Sequence, residues 1–435
     1  MQRPQKIKTK NKRVHMWYNE NGKGCRANKS APFCHIFLNV ISFPACLCAV
    51  FVLFFSGYSL AEPEVRGLWV VRDNITSHEQ IKQIVDFAET HHYNVLFVQV
   101  RGRGDAFYRS YFVPGPANYP NIPEEFDPLS DVIRQAHAKG IEVHAWFNMY
   151  YTWSAETTPV NPEHPLLKHP EWFMVSIDGD SMAEGPINEI QNNSAEGRYL
   201  SPVLESVKRY LSRVITEVMV TYNIDGVHLD YIRYPGRNYD FHPIVRQQFS
   251  ECYGVDPIQV VEGDTDIDPT LMYLGKWVEF KTEMIDKQVR SIRRRIDLVD
   301  RKIRLSAAVK PHADEAYYHY GQNWAGWLNE GIVDFVVTMS YFEEVEEFFD
   351  VMSASLNKVD GRKVIGGIGA YKLIPEVAAE QISLIRRWGL MGFCFFSYTV
   401  FLENPQFIEI LEESITVNDE GLPSDFRPYI RKYYE

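Results

Sequence analysis

Eight short runs of β-branched and aromatic residues recur along the chain: VRGLWVV (65–71), YNVLFVQV (93–100), IEVHAWFN (141–148), DGVHLDYI (225–232), IRLSAAV (303–309), VDFVVTMSY (333–341), KVIGGIGAY (363–371) and GFCFFSY (392–398). Between them the apolar period lengthens to that of amphipathic helices. HEQIKQIVDFAETHH precedes the second run, PLSDVIRQAHAKG the third, PVLESVKRYLSRVITEVMVTY the fourth and KWVEFKTEMIDKQVRSIRRRIDLV the fifth; WAGWLNEG precedes the sixth and AAEQISLIRRWG the eighth. Strands alternating with helices predict a parallel sheet of βα units. Gly140, Gly331 and Gly389 stand where C-terminal caps would end three of the helices. Eight strands close a barrel, so the chain is expected to form an α/β (β/α)8 TIM barrel over about 64–405, followed by an irregular tail, 406–435. An open doubly wound sheet would bring a GxGxxG phosphate fingerprint after its first strand, and none follows RGLWVV.

In such a barrel the active site is built at the C-terminal ends of the strands. Two loops on that side are long: Met149 to Pro202 after the third strand, holding Trp153, Trp172 and Phe173, and Arg233 to Tyr273 after the fourth. Loops of this size are expected to carry function.

The first 61 residues follow a different plan. Up to Ser30 there are nine basic residues against one acid, Glu20, and an apolar run from Ile41 to Ala61 follows, ending in small residues. Basic, apolar and small in that order predicts an export signal cleaved after Ala61. A retained single-helix membrane anchor is the alternative, because about 20 apolar residues also span a bilayer. Either way the barrel is expected outside the cytoplasm. The whole-chain charge of −12 leaves −20 on the remainder. A body that acidic is no nucleic-acid binder, since that affinity rests on neutralising phosphates. Hydrophobic content of 45% suffices for a packed core. Only Cys252 and Cys394 lie beyond the head, too few for a disulfide framework or a zinc site.

The fourth run raises a chemical question, because it places His228 and Asp230 in a strand otherwise fit for a core. Side chains alternate along a strand, so these two share one side and Val227 and Leu229 the other. His144, Trp146 and Asn148 share a parity in the third run in the same way. The second run ends in Arg101 and a turn carrying Asp105, the fifth in Lys310, the sixth in Tyr341 and Glu343, the seventh in Tyr371 and the eighth in Tyr398. Carboxylates, histidines and aromatics gathered at one rim suit glycoside hydrolysis: one carboxylate attacks or stabilises the oxocarbenium centre, another protonates the leaving oxygen, and aromatic faces hold sugars. Asp230 is expected as the nucleophile or stabilising base.

RGLWV, NVLFVQVRGRGDAFY, FDPLSDVIRQAHAKGIEVHAWFN, HPEWF and YNIDGVHLDYIRYP resemble the glycosyl hydrolase-like 10 family of bacterial envelope proteins over about residues 64 to 400. The resemblance implies a (β/α)8 glycosidase, with peptidoglycan glycan strands among the substrates. By motif it implies Asp230 as the carboxylate at the fourth strand's end, Asp105 as the acid after the second, and His144 with Asn148 as the third-strand pair. The chain departs from the family pattern where Tyr231 stands in place of a second acid, and where the sixth strand ends Met339-Ser340-Tyr341-Phe342-Glu343. The catalytic candidates are thus Asp230, Asp105 and Glu343. The substrate-binding candidates are Arg101, His144, Trp146, Asn148, His228, Lys310, Tyr341, Tyr371 and Tyr398.

Each candidate has a plainer reading. Asp230 would be a structural partner of Arg233 or Arg101, Asp105 a brace for its turn, Glu343 the solvated start of a helix, and the histidines and tryptophans core residues. His144, His228, Asp230 and His312 raise a metal-dependent alternative, but the first strand has no His-x-His pair and no HExxH helix exists. No metal or cofactor is therefore expected. The remaining alternative is a sugar-binding barrel that has lost catalysis.

Overall fold

A computed structural model describes residues 63–416 apart from 117–122, 124, 193–194 and 264–267. Eight parallel strands close into a barrel: β1 (Val65–Val70), β2 (Val95–Arg101), β3 (Glu142–Asn148), β4 (Gly226–Asp230), β5 (Arg304–Val309), β6 (Phe335–Met339), β7 (Val364–Ile368) and β8 (Gly392–Phe395). Each pairs with the next in the chain, and β1 pairs with β8 to complete the ring. The eight strands read from the sequence are the eight observed. The caps are legible too: the Ser77 and Asp127 side chains accept from the backbone N–H groups of Gln80 and Ser130 at two helix starts. Gly140, Gly331 and Gly389 adopt the left-handed backbone that ends a helix.

Alternation sorts the side chains. Trp69, Phe97, Trp146, Ala308, Phe335, Val337, Ile365 and Cys394 pack together inside the barrel, while Leu68, Leu96, Val143, Val227 and Leu229 join the layer between strands and helices. The interior is crowded enough to need glycines. A Cβ on Gly226 would lie 2.1 Å from Nδ1 of His144, and one on Gly367 would lie 1.9 Å from the Thr338 carbonyl oxygen and 3.1 Å from the Trp69 ring.

One polar chain crosses this interior. Trp69 Nε1 donates to His228 Nε2 at 3.2 Å, and His228 Nδ1 lies 2.9 Å from Ser306 Oγ. An indole nitrogen only donates, so His228 is neutral with its proton on Nδ1, facing Ser306. Burial, then the nearby His144, hold the ring well below the usual histidine range. Trp69→Phe leaves Nε2 without a donor. The expected cost is about 1–3 kcal/mol from the orphaned acceptor alone, read as a lower denaturant midpoint at unchanged slope.

Two segments differ from expectation. A helix, Val345–Leu356, fills the gap between β6 and β7, and the presumed irregular tail begins as a helix, Pro405–Thr416. The latter forms because Phe407, Ile408, Leu411 and Ile415 make a buried stripe at helical spacing. The loop after β3 is folded rather than loose: Tyr151–Trp153 and Arg198–Tyr199 pair as a small antiparallel ribbon over the barrel mouth. The first 62 residues, on which the expected export signal or anchor falls, and residues beyond 416 lie outside the described residues. No helix among the described residues is long and apolar enough to cross a membrane.

Candidate active site at the mouth of the barrel

Asp230 is the last residue of β4 because the chain turns there: Tyr231 adopts φ 48°, unusual for a residue with a side chain. The turn is fastened by Met149 N–H donating to the Asp230 carbonyl at 2.8 Å. It leaves the Asp230 carboxyl facing the mouth and only 6% exposed. Oδ2 accepts from Trp146 Nε1 at 3.1 Å and Oδ1 from the Tyr231 N–H at 2.6 Å. Burial pushes the carboxyl up to about 6, against Arg233 and the two N–H donors, which favour the carboxylate. The largest charges acting on it are Arg233, from its own loop, and Glu196, from the loop after β3.

Glu196 is shifted in the opposite direction. Arg233 Nη2 donates to its Oε1 at 3.0 Å and the Tyr199 hydroxyl to its Oε2 at 2.7 Å. Burial opposes ionisation here too, but Arg233 and Tyr199 outweigh it, so the Glu196 carboxyl lies below the usual range. Arg233 is itself fixed, donating also to Tyr199 Oη at 3.0 Å with its guanidinium 4.6 Å from the centre of the Tyr231 ring. Tyr231 in turn stacks on Tyr151 at 4.6 Å. Two carboxyl groups with opposed proton affinity beside aromatic faces can donate and accept a proton across a bound glycoside.

Of the predicted residues, Trp146, Lys310 and Tyr341 join Asp230 at this level. Tyr341 stacks on Phe396 at 5.6 Å, and Tyr371, 53% exposed, meets both rings at 6.0 Å. Asn148, buried beside them, donates to the Gly102 carbonyl at 2.8 Å and so fixes the turn after β2. The others lie elsewhere. His228 sits in the middle of the barrel, and His144 near its floor with Glu142 and Arg304. A register shift in β2 between Gln99 and Arg101 turns Arg101 aside. Its buried guanidinium donates to the Asn148 and Met149 carbonyls and lies 5.9 Å from the Tyr210 ring. Asp105 accepts from the Arg103 N–H at 2.9 Å, bracing its turn. Glu343 is exposed between β6 and the next helix. Tyr398 packs outside the barrel against Phe87, because the strand has ended and helix Tyr398–Glu403 begins.

Sequence reading missed Glu196 and Tyr199. Both lie in the long loop, where no period says which way a side chain faces. The only available signal was the length of the loop.

A family model described as glycosyl hydrolase-like 10 matches residues 64–372. The chain belongs to that family. Among curated relatives, it is 23% identical over 403 residues to Glycosyl hydrolase YngK of Bacillus subtilis, covering 81% of this chain and 71% of that one. To Glycosyl hydrolase DigH of Escherichia coli it is 27% identical over 208 residues, 40% of this chain and 43% of that one. Among solved structures it is similar to the glycoside hydrolase domain of PgaB (BpsB) from Bordetella bronchiseptica, with TM-score 0.62 and 15% identity over 82% of this chain and all of that one. It is also similar to alpha-L-fucosidase isoenzyme 2 of Paenibacillus thiaminolyticus, with TM-score 0.55 and 13% identity over 81% and 49% of the two chains. At these identities the structural likenesses establish the barrel alone. Membership of the glycosyl hydrolase-like 10 family gives the chain a carbohydrate-active, hydrolase-like role.

Proposed function

We propose that this protein hydrolyses glycosidic bonds of a polysaccharide outside the cytoplasm, with peptidoglycan glycan strands as substrate. The observation that carries this reading is the buried Asp230 carboxyl, raised to about 6, beside a Glu196 that Arg233 and Tyr199 keep ionised. Asp230 then serves as proton donor rather than as the nucleophile expected from sequence. It protonates the glycosidic oxygen as the bond to the anomeric carbon breaks. Glu196 meets the developing positive charge at that carbon, either bonding to it or drawing the proton from an attacking water. Water supplies hydroxyl to the anomeric carbon and its proton returns to the site, so no cofactor is required. Tyr151, Tyr341 and Tyr371 supply faces for the sugar rings. Export rests on the basic, apolar and small order of the first 61 residues.

The test is the appearance of new reducing ends from a panel of polysaccharides that includes peptide-free peptidoglycan strands. Wild type is expected to release them, and Glu196→Gln to do so at least about 100-fold more slowly, within the range of positioned acid or base catalysts. Undiminished release by Glu196→Gln would remove Glu196 from the second role. Binding of the strands without release would instead favour the inactive sugar-binding barrel.

A further inference from the structure

Lys310 follows directly on β5, at the open end of the barrel. It is half-buried and lies 4.9 Å from the centre of the Tyr320 ring. No acceptor among the described residues takes a hydrogen bond from it. Burial, followed by repulsion from Arg233, holds the amine below its ordinary range, while Glu196, Glu315 and Asp230 pull the other way without touching it. Arg233 differs, since its guanidinium is engaged by Glu196 and Tyr199. Partly desolvating an ammonium and leaving it unpaired is unfavourable. Here it stands beside the carboxylates that would flank a bound glycoside, at the open end of the barrel. The surrounding body carries −20, so a generally electropositive surface does not account for it.

We propose that Lys310 receives a carboxylate carried by the sugar bound next to Asp230, so that the preferred substrate is an acidic glycan. This rests on the glycan reading above and adds the charge of the substrate to it. One ammonium matches one carboxylate. The Tyr320 face under the cation keeps the long side chain in place between substrates. The sugar's acid group would then set which residue of an alternating polymer sits over Asp230, fixing which bonds are cut.

The test compares peptide-free peptidoglycan strands, whose alternate sugars carry a lactyl carboxylate, with the same strands after carbodiimide activation and borohydride reduction of that carboxylate to an alcohol. Affinity is measured by calorimetry and turnover by reducing ends, for the full chain and for Lys310→Met. Wild type is expected to bind the carboxylate form about 10- to 100-fold more tightly, as for one hydrogen bond to a charged group. Raising salt should erode that ratio. In Lys310→Met the ratio should fall to near one. A wild-type ratio near one, or a ratio that persists in Lys310→Met, overturns the proposal. A Lys310-dependent ratio in binding without any turnover upholds it while removing the hydrolase reading, and failure of wild type to bind either form overturns both.

Discussion

Asp230→Asn is expected to lower kcat/KM on any cleaved glycan by about 10²- to 10⁴-fold, the contribution of a positioned proton donor, and to leave the barrel folded. Asparagine keeps the shape of the side chain but has no proton to give at the pH where Asp230 does. It also offers one oxygen to two donors, Trp146 Nε1 and the Tyr231 N–H. A loss of about 1–3 kcal/mol from the deserted donor is therefore expected at every pH.

Upon that constant loss lies a term that depends on pH. The Asp230 carboxyl is raised from the ordinary 3.8 to about 6, so between those values the folded chain holds a proton that the unfolded chain has released. Its contribution to stability is present in full below about pH 4 and is lost as pH rises through about 6, amounting to roughly 3 kcal/mol at most. The advantage of wild type over Asp230→Asn should shrink by up to that amount from pH 4 to pH 7 in denaturant titrations. A difference that stays flat across this range would mean an ordinary solvated carboxyl, and would sink its assignment as proton donor.

Gly226→Ala is expected to destabilise the barrel severely. The new Cβ would lie 2.1 Å from Nδ1 of His144 and 2.3 Å from its Cε1. His144 has nowhere to withdraw, being wholly buried with Phe97 at 5.2 Å and Phe335 at 5.7 Å between ring centres. Overpacking in a dense core costs about 1–3 kcal/mol, and more where nothing yields. We expect a loss at or above the top of that range, measured by chemical denaturation. The double variant Gly226→Ala/His144→Ala should recover part of it by opening the space the methyl needs. Equal stability of the double and single variants would show that the clash is not with this ring.

The same pair shows why the barrel was legible. Period-two alternation assigns His144, Trp146, Asn148, His228 and Asp230 to one side of their strands, and the paired register seats His144 opposite Gly226 and Asn148 opposite Asp230. That rule holds only while a strand is regular. It misplaced Arg101, where the register of β2 shifts, and Tyr398, where β8 has already given way to a helix. It was silent on Glu196, whose position is set by two long-range partners, Arg233 and Tyr199, rather than by neighbours in sequence. Parity also says nothing of depth. His144, His228 and Asp230 share a side, yet only the last reaches the mouth.

Arg386 carries a consequence of another kind. It clasps Glu64, 322 residues away in the chain, at 2.7 Å, and donates to the carbonyls of Ser414 at 2.6 Å and Ile415 at 3.0 Å. The clasp lies where the first strand meets the last, so the ring cannot be sealed until almost the whole chain is available. Contacts so distant in sequence form slowly. During synthesis the edge of β1 has no partner on that side, and a chain threaded through a membrane from its N-terminus would complete its passage before the ring could shut.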